Sequence, residues 1–221
     1  MMPTEIPALT PHQMKSVLEA GALLIDLRPY EEFASSHIPG SIHVVFSRKS
    51  LPERVATAIP PGPPIVLLSG EAGVAEAATE ALQKTLRNPL LGTVVGGIET
   101  WGRAGFPSAT LSQVPVAALR QRLNAPHDEL MLIDVREPFE RTLGCIDGSC
   151  SIPLGEVWRR ATALDPHRDI ILICEEGIRS SAAASILLHH GFPRVANVPG
   201  GMGNWFKADY PTIRPPIPPK S

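Results

Sequence analysis

The stretch LMLIDVREPFERTLGCIDGSCSI, residues 130–152, has an earlier counterpart in the same chain. That counterpart is ALLIDLRPYEEFASSHIPGSIHV, residues 22–44, and the two align without a gap at a spacing of 108 residues. The matched pairs include Asp26 and Asp134, Arg28 and Arg136, Glu32 and Glu140, Ile38 and Ile146, and Gly40 and Gly148. A match of this length within one chain indicates a duplicated structural unit.

Two further matches extend the repeat toward the carboxyl end. Ser69 corresponds to Cys174 at a spacing of 105, and VVGGIETWGRAGFP (94–107) corresponds to VPGGMGNWFKADYP (198–211) at a spacing of 104. The order is kept while the spacing shrinks, as loop deletions in one copy would produce. Units of about a hundred residues are too long for a solenoid repeat. We therefore expect two domains, residues 1–110 and 111–221, with a proline-bearing linker around residues 108–115.

Each copy alternates apolar runs with helix-like segments, and this alternation predicts the fold class. The apolar runs are residues 22–26 and 130–134, 64–69 and 170–174, and 92–97 and 194–201. Continuous apolar runs are typical of strands buried on both faces. Helices are predicted over residues 12–19, after the Thr10-Pro11 start signal, and over residues 180–190, before Gly191 and the apolar Phe192. We expect an α/β fold with a mainly parallel sheet covered by helices on both faces.

Composition limits the kinds of partner that the protein can bind and the cellular compartment in which it is expected. The chain has 221 residues and a net charge of −2, so no basic face for nucleic acid is indicated. The longest apolar runs are too short to span a bilayer, and the amino terminus lacks the pattern of a signal peptide. Three cysteines do not make a disulfide framework in a chain of this length. We expect a cytoplasmic protein with reduced thiols that binds neither membranes nor nucleic acid.

The loop after the strand 170–174 is the candidate site for chemistry. Cys174 ends that strand, the loop continues through Glu175, Glu176, Gly177, Ile178 and Arg179, and the predicted helix begins at Ser180. Ligands of open α/β sheets bind beyond the carboxyl ends of the strands. There the loop N–H groups and the positive end of the helix favour a thiolate, and Arg179 adds a formal positive charge. The alternative is a buried, inert cysteine at a strand end.

These motifs together resemble the tandem-domain rhodanese family of thiosulfate and 3-mercaptopyruvate sulfurtransferases. The resemblance rests on DVREP (134–138) with Gly148, CEEGIRS (174–180) and GGMGNW (200–205), and on DLRPYEEFASSHIPGS (26–41) and GGIETW (96–101) in the first half. It implies a five-stranded parallel sheet with helices on both sides in each domain. It also implies that Cys174 accepts a sulfane sulfur as a persulfide, held by the loop amides from Glu175 to Ser180. No metal or organic cofactor is required.

The resemblance leaves the donor open and implies a thiol or cyanide as acceptor. Where many thiosulfate-using members carry a basic residue beside the cysteine, this chain has Glu175 and Glu176, and it lacks the Gly-Ser-Gly loop associated with mercaptopyruvate. Thiosulfate, a low-molecular-weight persulfide and a sulfur-carrier protein all remain candidate donors or partners. Two other functions stay open, namely a non-catalytic rhodanese-like binding module and a cysteine phosphatase or arsenate reductase. The six residues from Cys174 to Arg179 favour a sulfurtransferase, because the related phosphatase loop is one residue longer.

A comparison of the two halves of the chain separates residues that maintain the fold from residues that could carry out chemistry. Ser69 replaces the thiol in the first domain and its loop has no arginine, so that domain is predicted to be catalytically silent. Asp134 and Arg136 are expected to form a local ion pair rather than to act on substrate, because Asp26 and Arg28 keep the pair. Two further cysteines, Cys145 and Cys150, are either small packed residues or thiols that resolve a persulfide; a zinc site is not expected.

Overall fold

The computed structural model describes residues 6–94, 96–125 and 129–215. The chain divides into two compact units, Met1–Thr110 and Leu111–Ser221. Each unit contains one five-stranded sheet in which every pair of neighbouring strands is parallel. The α/β class and the five parallel strands per domain are therefore confirmed.

The N-terminal unit has five strands and five helices within its described residues. The elements are β1 (Ala8–Leu9), α1 (Pro11–Glu19), β2 (Leu23–Asp26), α2 (Tyr30–Ser35), β3 (Ile42–His43), α3 (Leu51–Ala58), β4 (Ile65–Leu68), α4 (Val74–Gln83), β5 (Leu90–Val94) and α5 (Gly97–Arg103). The strand order is β1-β5-β4-β2-β3. Helix α1 begins at the predicted signal, where the Thr10 hydroxyl accepts the Gln13 N–H and the Gln13 side chain accepts the Thr10 N–H.

The C-terminal unit repeats this order. Its elements are β6 (Ser112–Gln113), α6 (Val116–Asn124), β7 (Leu130–Asp134), α7 (Pro138–Arg141), β8 (Cys150–Ser151), α8 (Leu154–Arg160), a short 3-10 helix (Ala161–Ala163), β9 (Asp169–Ile173), α9 (Ile178–His189), β10 (Val195–Asn197) and α10 (Gly201–Lys207). The sheet runs β6-β10-β9-β7-β8. Each strand of the C-terminal sheet therefore occupies the same position as its counterpart in the N-terminal sheet, as the sequence repeat predicts.

Both faces of the C-terminal sheet are buried. On one face, Leu119 of α6 and Trp205 of α10 pack with Leu132 and Ile171 in one apolar cluster. The next residues along those strands, Ile133 and Leu172, point to the opposite face and are also buried, where α8 and α9 lie. This two-sided burial explains why the strand sequences are continuously apolar.

Two predicted boundaries differ from the structure. The expected linker at residues 108–115 is not a free segment, because Ala109 bridges to His37 and residues 112–113 form β6. Helix α9 begins at Ile178 rather than at Ser180, because Gly177 adopts a left-handed conformation and caps the helix. In the described part of the chain, no helix combines the length and apolar character needed to cross a membrane.

Candidate active site

Cys174 lies directly after β9 at the carboxyl edge of the sheet, and its side chain is buried. Its Sγ accepts a hydrogen bond from the Gly177 N–H at 3.1 Å and another from the Ser180 hydroxyl at 3.3 Å. Both donors belong to the start of α9, whose N-terminal end carries a partial positive charge. The arrangement favours negative charge on sulfur at this position.

Glycine is required at two positions behind the loop. Gly177 has a φ of +94°, and a Cβ there would lie 3.1 Å from the Gly200 nitrogen and 3.2 Å from the Val198 oxygen. Gly201 has a φ of +49°, and a Cβ there would lie 2.2 Å from the Cys174 carbonyl oxygen. The loop and the start of α10 are therefore packed backbone against backbone.

Helix α10 holds the carbonyl groups of the loop. The Met202 N–H donates to the Cys174 carbonyl at 2.7 Å, and the Gly203 N–H donates to the Glu175 carbonyl at 2.9 Å. These bonds come from the first turn of α10, whose N–H groups have no partner within their own helix. Two helix starts thus fix the loop, with α9 bonded to the Cys174 sulfur and α10 bonded to its backbone.

The Arg179 guanidinium is engaged in an ion pair and is not a free cation beside the thiol. Its guanidinium binds both oxygens of Glu140 on α7, at 2.6 and 2.7 Å. The hydrogen bond that Arg179 donates to Glu140 raises the pKa of Arg179 above its usual value, although partial burial opposes the shift. The same bond holds the pKa of Glu140 below its usual range. Glu140 was not predicted as a partner of Arg179, and its match to Glu32 gave no signal of the contact, because the loop after Ser69 has no arginine.

Asp134 and Arg136 form the predicted local ion pair, and the structure shows that both side chains are buried. Arg136 binds the Asp134 carboxylate with Nε and Nη2, at 3.0 and 2.8 Å, and also donates to the Gly144 carbonyl. Burial opposes the charge on Arg136, but its hydrogen bonds to Asp134 outweigh that effect and its pKa is raised. Arg141 adds a second cation 3.0 Å from Asp134. Asp26 and Arg28 form the same pair in the N-terminal unit.

The two acidic residues after Cys174 differ in their surroundings. The Glu175 carboxylate lies 3.4 Å from Nη1 of Arg136 while its side chain is 43% exposed. Glu176 is exposed, and Ile178 is half-buried. Of the six predicted loop residues, Gly177 and Ser180 are the two that are bonded to the Cys174 sulfur.

A comparison with family models agrees with this architecture. The model of the rhodanese-like domain matches residues 10–104 and again residues 116–208, which together cover most of the chain. The chain belongs to the rhodanese family. Both units are rhodanese-like domains, and the tandem arrangement inferred from the repeat is confirmed.

The similar proteins cover between about half and nearly all of this chain. A sulfurtransferase of Allochromatium vinosum is 30% identical over 105 residues, 48% of this chain and 97% of its own length. A Bacillus subtilis protein provisionally named a sulfur carrier is 36% identical over 98 residues, 44% of this chain; the match spans only 52% of that protein. The solved thiosulfate sulfurtransferase of Pseudomonas aeruginosa is 22% identical, with a TM-score of 0.41, covering 95% of this chain and 44% of that one.

The N-terminal rhodanese-like domain has a different loop at the matching position. Helix α4 begins at Val74 after Gly73, five residues beyond Ser69, whereas α9 begins four residues beyond Cys174. The N-terminal loop is therefore one residue longer as well as lacking the thiol and the arginine. It is not simply a copy of the other loop with the reactive groups replaced.

The other cysteines and histidines of the C-terminal rhodanese-like domain lie in distinct surroundings. All three thiols are free; Cys145 is buried in a bridge to Ile213, and Cys150 is exposed on β8. Among the described residues, no group of side chains is placed to hold a metal ion. His189 and His190 pack against Trp158 at the opposite end of α9 from Cys174.

Proposed function

We propose that the chain is a sulfurtransferase that carries a sulfane sulfur on Cys174 as a persulfide. The observation that carries the proposal is the pair of hydrogen bonds, from the Gly177 N–H and the Ser180 hydroxyl, that converge on the Cys174 sulfur at the start of α9. Donors aimed at the Cys174 sulfur favour its thiolate, which is the form that attacks the donor and is released again when the persulfide gives up its outer sulfur. Membership of the rhodanese family and the named sulfurtransferase relative support the same reaction class.

The reaction proceeds in two displacements. In the first, the Cys174 thiolate attacks the outer sulfur of the donor; the donor's sulfur–sulfur bond breaks, and sulfite or a thiolate leaves with the electron pair. In the second, a thiolate or cyanide attacks the terminal sulfur of the persulfide and releases the Cys174 thiolate. Atoms and electrons balance without an added oxidant or reductant. Each step needs stabilised negative charge on sulfur rather than a proton-transferring base.

The residues of the loop divide these tasks. Gly177 and Ser180 hold charge on the Cys174 sulfur, and the amides from Glu175 to Ser180 surround the outer sulfur once the persulfide forms. Arg179 does not act as a free cation, because both of its terminal nitrogens are bonded to the Glu140 carboxylate. Its role is to hold the start of α9 in place through that ion pair. No metal or organic cofactor takes part in this scheme.

The N-terminal domain is silent in this scheme. A serine cannot form a persulfide. The loop after Ser69 has no arginine, and it is one residue longer than the loop after Cys174. The donor is thiosulfate, a low-molecular-weight persulfide or a persulfide on a carrier protein. The acidic pair Glu175 and Glu176 weighs against a small dianion such as thiosulfate, so a persulfide is at least as suitable a donor.

A turnover assay with matched variants tests the proposal. Wild type, Cys174→Ser and Ser69→Ala are each given thiosulfate, 3-mercaptopyruvate or glutathione persulfide with cyanide as acceptor, and thiocyanate is measured. We expect turnover above the uncatalysed rate with at least one donor in wild type and Ser69→Ala, and none above that rate in Cys174→Ser. A protein that is inactive with every donor but hydrolyses p-nitrophenyl phosphate would be a phosphatase, and one that does neither would be a binding module.

A further inference from the structure

Two histidines of the N-terminal domain are enclosed by the fold. His37 follows α2 and His43 lies on β3, and the two residues are 2% and 0% exposed. Histidine is the side chain whose ordinary pKa places its change of charge between pH 5 and 8. Two buried imidazoles in one small domain are therefore groups through which pH can act on the fold.

The two imidazoles share one aromatic neighbour, Phe33 of α2. The Phe33 and His37 rings are stacked, with centroids 4.1 Å apart and planes 9° from parallel. The His43 ring is tilted against the Phe33 ring, with centroids 4.9 Å apart. Phe33 is itself fully buried, so the three rings form one enclosed group. We call Phe33, His37 and His43 the histidine cluster.

Each imidazole of the histidine cluster donates a hydrogen bond to a backbone carbonyl. Nδ1 of His37 lies 3.0 Å from the Phe33 carbonyl oxygen, and Nε2 of His43 lies 2.9 Å from the Arg28 carbonyl oxygen. Because a carbonyl oxygen can only accept, each of these two nitrogens carries the proton of the neutral ring. A second proton would enter at the other ring nitrogen and would create a cation inside the domain.

The charges around the histidine cluster do not compensate such a cation. Asp26 and Arg28 are the charged groups that act on both rings, and they already form a buried ion pair, with Nη2 to Oδ2 at 2.6 Å. Glu31 and Glu32 on α2 are exposed, and residues 107–110 contain no ionisable side chain. Burial lowers the pKa of both histidines, and it outweighs the attraction of Asp26. The charges on Arg28 and on the other histidine ring add to the cost of protonating His43.

The C-terminal domain has different residues at the matching positions. The repeat spacing of 108 matches Phe33, His37 and His43 with Arg141, Cys145 and Ser151. Arg141 is a permanent cation, and it lies 3.0 Å from the carboxylate of Asp134. The shared fold therefore does not depend on the histidine cluster, and a response to pH at this place in the fold is confined to the N-terminal domain.

The histidine cluster is joined to the segment that leads out of the N-terminal domain. The His37 N–H donates to the Ala109 carbonyl at 2.9 Å, and the Ala109 N–H donates to the His37 carbonyl at 2.8 Å. Thr110 ends this domain, and β6 of the C-terminal domain begins two residues later. Movement of His37 out of the histidine cluster would therefore break the bridge that holds this segment.

We propose that the histidine cluster is an acid-sensitive switch, in which protonation of His37 and His43 opens the cluster and releases the segment around Ala109. A buried histidine whose pKa is lowered stabilises the closed state above the ordinary pKa of 6.5, and this stabilisation is lost as pH falls below that value. Each histidine that gains a proton on opening raises the equilibrium constant for opening by up to about tenfold per pH unit. The switch involves no sulfur chemistry, so it stands apart from the proposed function.

Hydrogen exchange of the full chain tests the switch. Deuterium uptake is measured by mass spectrometry at pH 7.5 and pH 5.5, and the rates are corrected for the intrinsic effect of pH on amide exchange. We expect opening of residues 33–44 and 107–110 to increase by about 10- to 100-fold at the lower pH, for one or two protons gained. The matching residues 141–152 and 211–214 contain no histidine and should show no such increase.

The test variant is His37→Asn with His43→Gln, because the new amide groups can donate to the same carbonyls but do not take up a proton. His167→Gln is the control, since His167 is an exposed histidine of the C-terminal domain. We expect the increase to disappear in the test variant and to persist in the control. No increase in wild type, the same increase in the test variant, or an equal increase in residues 141–152 would overturn the proposal.

A titration of wild type by nuclear magnetic resonance gives a measurement that does not depend on how well the test variant folds. The ring protons of His37 and His43 are assigned with the single variants and followed from pH 8 to pH 5. We expect both rings to stay neutral through pH 6.5 in the closed domain, and their signals to be lost as the cluster opens. Rings that titrate with an ordinary pKa while the folded signals persist would overturn the switch.

Discussion

The guanidinium of Arg179 lies against the carboxylate of Glu140 through two parallel hydrogen bonds, of 2.6 and 2.7 Å, that join α9 to α7. The same carboxylate accepts the Glu137 N–H at 2.9 Å, so it also closes the first turn of α7. One side chain thus links a single-turn helix to the loop that holds Cys174. In the N-terminal domain the matching Glu32 lies 4.0 Å from Arg28 instead, and no such link exists among the described residues.

Replacing Glu140 with Gln should make the C-terminal domain less stable in a pH-dependent way. The hydrogen bond from Arg179 holds the pKa of Glu140 below its ordinary value of 4.5, so the ion pair stabilises the folded state fully above that pH. The stabilisation is lost as pH falls through the lowered pKa. We expect a difference of about 1 kcal/mol in urea unfolding at pH 7, modest because the pair is partly exposed. A difference that is the same at pH 7 and pH 3 would contradict a role for the carboxylate charge.

Replacing Ser180 with Ala removes one of the two donors to the Cys174 sulfur. Hydrogen bonds to charged groups are worth about 1.5–3 kcal/mol, so the rate of persulfide formation should fall about tenfold or more. Ser181→Ala is the matched control, because Ser181 is equally buried on the same helix and its hydroxyl has no partner among the described residues. Stopped-flow or quenched mass measurements give both rates. Equal effects of the two substitutions would show that the Ser180 hydroxyl does not act on sulfur.

Replacing Gly201 with Ala should displace the loop itself. The new Cβ would lie 2.2 Å from the Cys174 carbonyl at a φ of +49°, and the contact is with backbone that cannot move aside alone. Gly148→Ala is the control, since Gly148 has a φ of +73° and no atom near the position of the new Cβ. The control should cost about 1 kcal/mol in unfolding free energy and Gly201→Ala about 2 kcal/mol or more, with loss of sulfur transfer. Similar losses in both would mean that conformational strain, not the contact, dominates.

Replacing Glu175 with Arg should lower the KM for thiosulfate. The Glu175 carboxylate, next to Cys174 in the chain, is partly exposed and lies 3.4 Å from Arg136, and an arginine there would attract the dianion instead of opposing it. Several-fold lower KM is expected, with little change in stability because Asp134 remains bonded to Arg136. Glu176→Arg reports on the neighbouring exposed position. A KM unchanged in both variants would show that neither carboxylate faces the donor.

The repeat made much of the fold predictable, because the two copies within the chain can be compared with each other. Strands β2, β4, β7 and β9 are continuous apolar runs bounded by polar residues, and this pattern predicts strands. Strands β1, β3, β6 and β8 have only two residues each, which is too short for any periodicity to show. Their number came from the family resemblance. The prediction of a linker at residues 108–115 was wrong for the same reason: strand β6 is too short to recognise in the sequence, and it pairs with β10 only in the folded sheet.

The place of the candidate site in the fold was predictable from the sequence, and its contacts were less so. A cysteine between a buried strand and a glycine-containing loop signals an anion site, because the geometry of a strand-to-helix junction is local. The link between Glu140 and Arg179 joins residues 39 apart, and the bonds from α10 to the loop depend on the packing of two glycines. Such contacts follow from the assembled sheet and not from the local sequence. Arg179 was accordingly expected beside the thiol, whereas its guanidinium is bonded to Glu140.

The most direct test of the central claim is the mass of the intact protein after exposure to a donor. Wild type and Cys174→Ser are incubated separately with thiosulfate, 3-mercaptopyruvate and glutathione persulfide and then weighed by mass spectrometry. A persulfide on Cys174 predicts that wild type gains one sulfur atom with at least one donor, loses it when cyanide or a thiol is added, and that Cys174→Ser gains none. No gain with any donor, or a gain that persists in Cys174→Ser, would contradict the account.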